Sequence, residues 1–139
     1  YILNLLHYLD LADGTPLYHQ AVHFGELKDG LIRGSRFDKT VEREFASFLS
    51  DKKDEDIINL CKSLGGEIIK SKFDLSVVFY LFPNYPVTLN IWFADDEFGA
   101  VGSMLVDKSA DNYLTIEDDV VAGEFMLRYI FERYNELYM

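Results

Sequence analysis

Apolar residues alternate with a period of two through the middle of the chain, and this alternation predicts the strands of a β-sheet. The pattern is strongest in residues 73–82 and 87–93. Apolar side chains fall on both faces of the first segment, so we expect a central strand that is covered on both sides. The turn between the two segments is bracketed by prolines and is too short for a crossover helix, which predicts antiparallel pairing. Weaker alternation predicts further strands at residues 17–24, 67–70 and 101–106.

Apolar residues spaced three and four positions apart predict helices that pack against this sheet. Asp38 is the expected N-cap of one helix, and Gly65 is placed to cap the C-terminus of the next. Thr115 and Asp118 resemble a capping box at the start of a long C-terminal helix. Residues 26–36 contain glycines and are predicted to form a loop, with a short turn of helix or strand within it as the alternative. The predicted helices cover residues 1–11, 38–49, 54–64 and 116–137.

The order of these elements predicts the α+β class, with a mostly antiparallel sheet of about four to five strands and helices packed on it. A chain of 139 residues fits a single domain, residues 1–139. The chain starts at Tyr1, already in helix-like sequence, so we expect it to lack a short N-terminal part of a longer protein.

Acidic residues are concentrated in one part of the chain. The formal net charge is −11, and the segment from Ala94 to Asp119 carries eight acids against one base, Lys108. Such a field repels phosphate backbones and anionic lipids, so neither nucleic acid nor a membrane is an expected partner. A protein with a basic patch is a partner that this negative charge would attract. Self-association into a homo-oligomer is a further alternative. The alternative is that the acids only keep an aromatic-rich domain in solution.

Cys61 is the only cysteine of the chain. One thiol cannot build an intrachain disulfide, an iron–sulfur cluster or a cysteine-based zinc site. We therefore expect a reduced, cytoplasmic setting. No apolar run approaches the roughly 20 residues that a helix needs to cross a bilayer.

Metal and catalytic motifs are weak in this sequence. His19 and His23 have the spacing of a zinc-binding helix, but they lie in strand-like sequence, where residues four apart are roughly 13 Å from each other. The loop pattern of an EF-hand is absent, no serine has a nucleophile-elbow context, and no glycine-rich phosphate loop is present. We expect neither a metal nor a cofactor, and no catalytic residue can be assigned.

None of the predicted helices or strands explains why the loop after the second long strand is acidic. Its acids are flanked by aromatic residues, which would form a partner-binding patch if they are exposed and would be core residues if they are not. A strand that ends at an aspartate follows. The candidate binding residues are Trp92, Asp95, Asp96, Glu97, Phe98 and Asp107.

Several short motifs in this region resemble an uncharacterised family, known as domain of unknown function 3786. The motifs are Trp92 to Phe98 (WFADDEF), Leu105 to Ala110 (LVDKSA), Tyr113-Leu114 and Glu117-Asp118. Two earlier stretches, Leu6 to Leu9 (LHYL) and Phe24 to Leu27 (FGEL), are similar to further positions of the same family. The resemblance covers nearly the whole chain and is most specific between residues 92 and 118.

The resemblance implies a cellular setting but no reaction. Members of the family occur mainly in anaerobic bacteria and archaea, which implies a link to anaerobic redox or one-carbon metabolism. Some members carry a separate N-terminal iron–sulfur segment, and this chain departs from them because Cys61 alone cannot supply cluster ligands. The family has no established activity and supplies no catalytic residues.

Two main hypotheses about function follow from the sequence. The first is a small cytoplasmic binding or accessory domain, for example of a metalloenzyme system, with a contact surface at Asp95 to Gly99 and the start of the last helix. The second is a small metal-dependent enzyme that uses some of His7, Asp95, Glu97 and Asp107, and it requires these groups to converge in one pocket. A self-associating structural domain is a third alternative.

Overall fold

A five-stranded antiparallel sheet lies at the centre of this computed structural model, which describes residues 17–138. The strand order is β1-β5-β4-β3-β2, and every neighbouring pair is antiparallel. The predicted α+β class is confirmed, whereas the helix predicted at residues 1–11 lies outside the described residues. The strands are β1 (Ala21–Val22), β2 (Glu67–Ile69), β3 (Leu75–Phe82), β4 (Tyr85–Trp92) and β5 (Val101–Asp107).

Three α-helices of the described chain bury their apolar sides to form the core with this sheet. They are α1 (Arg33–Leu49), α2 (Asp54–Ser63) and the long C-terminal α3 (Ile116–Tyr138). Two short 3-10 turns, Phe24–Glu26 and Lys108–Asn112, link strands to helices. Helical spacing places every third or fourth residue of each helix on its inner side. In α1 these residues are Phe37, Val41, Phe45 and Leu49, all of which are buried.

The face of the sheet opposite the helices is only partly covered. In β4, Val87, Leu89 and Ile91 are buried, whereas the alternate residues are half-buried or exposed. Because successive side chains of a strand point to opposite faces, Tyr80 of β3 and Trp92 of β4 both lie on this second face. Tyr80 is 56% exposed, so the expectation that β3 is covered on both sides is wrong at this position.

The turn of the β3–β4 hairpin is shorter than the proline-bracketed turn predicted from the sequence. Pro86 is already part of β4 and pairs with Tyr80. The register shifts between Tyr80 and Phe82, and the shift brings Phe82 opposite Tyr85, where both side chains are buried. An extra residue in one strand reverses the faces of those that follow, which simple alternation cannot reveal.

Helix α1 begins earlier than its sequence predicts, at Arg33, within the glycine-containing segment expected to be a loop. Asp38 is therefore not an N-cap but a residue inside the helix. Its carboxylate accepts hydrogen bonds from the backbone N–H of Phe24 (3.0 Å) and of Gly25 (2.9 Å). A side chain at Gly34 would collide with the backbone of Phe24, so this glycine serves the close approach of two chain segments.

Two predicted helix ends are confirmed. Gly65 has a φ of +80°, and the backbone N–H of Gly66 donates to the carbonyl of Cys61 at 3.0 Å, as in a Schellman motif. Thr115 precedes α3, and its hydroxyl accepts from the backbone N–H of Asp118 at 3.4 Å. Within residues 17–138, no helix has the length and apolar character needed to cross a membrane.

Candidate functional site

The acidic loop between β4 and β5 is closed by its own first aspartate. One oxygen of Asp95, Oδ1, accepts hydrogen bonds from the backbone N–H of Glu97 (2.8 Å) and of Phe98 (2.7 Å). The backbone N–H of Asp95 donates in turn to the carbonyl of Phe98 at 2.9 Å. The bonds from Phe98 and Glu97 lower the pKa of Asp95, so its carboxylate is charged at neutral pH. Asp95 therefore has a structural role that its sequence context did not reveal.

The closed loop forms one wall of a groove at the end of the sheet. The cavity measures about 440 Å³, and we call it the aromatic–acidic groove. Phe98 is 70% exposed and Trp92 is 40% exposed, so the predicted aromatic flanks of the loop are surface residues. The Phe73 ring lies 5.1 Å from that of Trp92. The groove is lined by Asp74, Trp92, Phe93, Asp95, Phe98, Gly99 and Val101.

Two further acids of the loop, Asp96 and Glu97, are exposed. Neither carboxylate makes a hydrogen bond or an ion pair with any residue between 17 and 138. These two side chains add negative charge beside the groove without a local structural role. Trp92, Asp95, Asp96, Glu97 and Phe98 thus lie together at one end of the sheet.

Asp107 lies at the opposite end of β5 from this loop, roughly 20 Å away for a strand of this length. Its buried carboxylate accepts from the backbone N–H groups of Tyr18 (2.9 Å), Gln20 (2.9 Å) and Ser109 (3.1 Å), and from the Ser109 hydroxyl. Burial acts to raise the pKa of Asp107, but these hydrogen bonds together hold it below its usual value. Asp107 therefore joins β1 to the end of β5 and is not part of the groove.

The residues named for a metal-dependent enzyme do not converge. Asp95 and Glu97 lie at one end of β5 and Asp107 at the other, while His7 lies outside the described residues. The described part of the chain contains no cluster of three or more histidine, cysteine or acidic side chains suited to a metal. Cys61 is buried, and this burial raises the pKa of its thiol to about 12, so it is not a ready nucleophile.

A buried pair of polar side chains was missed by the sequence analysis. The hydroxyl of Tyr85, at the start of β4, donates to Oδ1 of Asp119 in the first turn of α3. Asp119 is fully buried, and its Oδ2 has no hydrogen-bond partner among residues 17–138. Burial raises the pKa of Asp119 well above its usual value. Helical spacing could have revealed that Asp119 is buried. It lies four residues before Gly123 and seven before Met126, so all three fall on the same side of α3, and both of the others are buried.

Comparison with known proteins gives a family but no activity. Neither the search of curated proteins nor the search of solved structures returned a match. One family model, described as "Domain of unknown function (DUF3786)", matches residues 2–129 and so includes both the groove and the Tyr85–Asp119 pair. The chain therefore belongs to the DUF3786 family.

Proposed function

We propose that this domain is a protein-binding or accessory domain whose contact surface is the aromatic–acidic groove together with its acidic loop. The observation that supports this most directly is the exposure of Phe98, whose side chain is 70% accessible. Burying such a ring fully is worth about 1.5–3 kcal/mol, so a partner that covers it gains a substantial part of its binding energy there. Exposed aromatic residues of this kind are frequent anchors of interfaces.

The charge around Phe98 indicates what kind of partner would bind. Asp74 and Asp95 line the groove, and Asp96 and Glu97 lie on the same loop. The whole chain has a net charge of −11. A basic surface would be attracted at long range and would find carboxylates at the contact itself. An accessory role in a metalloenzyme system, within the anaerobic redox or one-carbon metabolism that the family resemblance implies, would fit this surface because it needs no reaction centre within the domain.

The start of α3 is not part of this surface. Tyr85 contacts Asp119 at the beginning of β4, whereas Trp92 ends the same strand. The length of β4, roughly 25 Å, separates the two regions. The contact surface that we propose is therefore smaller than the one expected from the sequence, and it is confined to one end of the sheet.

A random peptide library selected on the purified protein tests this proposal. We expect the selected peptides to be rich in lysine or arginine and to contain an apolar residue. Phe98→Ala should weaken their binding about tenfold, which corresponds to the loss of one aromatic anchor. The double variant Asp96→Lys/Glu97→Lys should weaken it further at low salt. Asp95 is left unchanged in this test because its carboxylate closes the loop.

Matched controls lie on the helices. Tyr129→Ala removes another exposed aromatic side chain, on α3, and Glu42→Lys/Glu44→Lys makes the same change of charge on α1. We expect both controls to bind the peptides like the wild type, and all variants to unfold at similar temperatures. Selected peptides that bind Phe98→Ala as tightly as the wild type would rule out this surface.

A further inference from the structure

We propose that the aromatic–acidic groove is a recognition site for an organic cation, namely the guanidinium or ammonium head group of an arginine or lysine side chain. This inference rests on the proposed function and adds the chemistry of the group that enters the groove. It follows from the aromatic rings, the carboxylates and the size of the cavity, and each of these is a separate observation.

The aromatic rings supply the first part of a cation site. Trp92, Phe93 and Phe98 line one cavity, and Phe73 lies beside the Trp92 indole. The face of an aromatic ring carries partial negative charge and attracts cations, tryptophan most strongly. The same effect is already visible within the chain, where the Lys72 ammonium lies 5.5 Å from the centre of the Phe73 ring. Lys72 is not among the residues that line the groove, so the groove has no cation of its own among them.

Two carboxylates supply the second part, and both are held in place by the backbone. Oδ2 of Asp74 accepts from the backbone N–H of Phe93 at 2.8 Å, while Oδ1 of Asp95 accepts from Glu97 and Phe98. The other oxygen of each carboxylate accepts no hydrogen bond from the described residues 17–138. A guanidinium group has five N–H donors and an ammonium has three, so either could bind these oxygens.

The size and position of the groove favour a side chain over a larger element. A cavity of about 440 Å³ is near the small end of the range for ligand sites. Trp92 is fixed in the sheet by its pairing with Val101, and Phe93 is fixed by its bond to Asp74. The backbone that carries these two rings is therefore in place before a ligand arrives, which lowers the entropy that binding must offset.

Trp92 provides a direct test because it is the only tryptophan of the chain. Its fluorescence can be followed while N-acetyl-arginine amide, N-acetyl-lysine amide or tetramethylammonium is added at constant ionic strength. N-acetyl-citrulline amide and N-acetyl-norleucine amide serve as neutral analogues of similar shape. We expect a saturable change with the cations and binding at least about tenfold weaker with the neutral analogues, as the loss of ionic and cation–π contacts predicts. Equal responses to arginine and citrulline would overturn the inference.

Substitutions that remove charge but keep the hydrogen bonds sharpen this test. Asp74→Asn and Asp95→Asn each retain an oxygen that can accept from the backbone, and each should weaken arginine binding about tenfold. Glu42→Gln makes the same change of charge on α1, outside the groove and its loop, and it should change the affinity less than about twofold. The inference fails if Asp74→Asn and Asp95→Asn both bind arginine like the wild type.

The outcomes for this site and for the proposed function can be told apart. If the library yields neutral peptides whose binding still depends on Phe98, the domain binds proteins but the groove does not select cations. If tetramethylammonium and free arginine saturate the Trp92 signal while no peptide depends on Phe98, the cation site stands and the protein-binding function does not.

Discussion

Replacing Asp107 by alanine is expected to lower the free energy of unfolding by about 3 kcal/mol, because the change removes the acceptor of four hydrogen bonds at once. Hydrogen bonds to a charged group are worth about 1.5–3 kcal/mol each. The net loss is smaller than their sum, because Tyr18 and Gln20 are exposed and water can replace the carboxylate as their partner. Urea unfolding at neutral pH measures the loss. Asp96→Ala is the matched control, since its exposed carboxylate has no partner within residues 17–138, and its effect should stay within about 0.5 kcal/mol.

The stabilising effect of Asp107 should disappear in acid. Its pKa is lowered in the folded protein, so the folded state holds the charged form more tightly than the unfolded chain does. This contribution is fully present above the unfolded pKa of about 3.9 and is lost as the pH falls through the lower, folded value. The difference in stability between the wild type and Asp107→Asn should therefore shrink below about pH 4. A difference that is constant with pH would show that the carboxylate charge is not what matters.

Asp107 also shows how far the candidate site could be predicted from sequence. The chain places Asp107 in the same run of acids as Asp95 and Asp96, and charge alone cannot separate them. The structure separates them because β5 carries Asp107 to the far end of the sheet, where four donors surround it. What a carboxylate does depends on the backbone N–H groups that tertiary structure brings to it, and those groups have no pattern in the sequence.

The sheet and the helices were predictable because their signals are periodic and long. Alternation over the segments that became β3 and β4 fixed both strands and their antiparallel pairing. The starts of α1 and of β4 were predicted incorrectly. The glycines before α1 were taken as a sign of a loop, whereas Gly34 lies in the helix and permits its close contact with Phe24. Asp38 was taken as an N-cap, whereas it accepts a hydrogen bond from the backbone of the turn at Phe24. In each case a tertiary contact overrode a local preference.

The acidic loop was expected to lie at the surface because of its charge, but the residues that surround it were only partly foreseen. Its charge pointed to a surface, and Trp92 and Phe98 are indeed exposed beside it. The contribution of Asp74 was missed, because that residue comes from the segment before β3 and reaches the groove only through its bond to Phe93. A site assembled from two distant segments of the chain cannot be read from either segment alone.

The Tyr85–Asp119 pair should make the folded protein less stable as the pH rises. Burial raises the pKa of Asp119 well above its usual value, and the nearby Asp111 and Asp118 carboxylates act in the same direction. The folded state therefore keeps its proton at pH values where the unfolded chain, with a pKa of about 3.9, has already lost it. Between these two pKa values the free energy of unfolding should fall by about 1.4 kcal/mol per pH unit because of this one group.

Asp119→Asn isolates this effect because an amide has nearly the shape of a carboxylic acid and does not ionise. Its carbonyl can still accept from the hydroxyl of Tyr85. We expect the variant to resemble the wild type near pH 4 and to become progressively more stable than the wild type as the pH increases. Urea unfolding of both proteins at a series of pH values gives the difference directly. A difference that does not grow with pH would mean that Asp119 is ionised in the folded protein.

Tyr85→Phe tests the other half of the pair, and its effect should have the opposite sign. The hydroxyl is the one hydrogen-bond partner of the Asp119 side chain among residues 17–138, and its removal leaves both carboxyl oxygens buried without a partner. An unsatisfied buried polar group costs about 1–3 kcal/mol, so the variant should be destabilised by this amount even near pH 4. The hydroxyl also lowers the pKa of Asp119, so without it the loss of stability with rising pH should extend to higher pH. In the double variant Tyr85→Phe/Asp119→Leu both partners are apolar, and recovery of most of the lost stability would show that the pair, rather than the packing of Tyr85, accounts for the destabilisation.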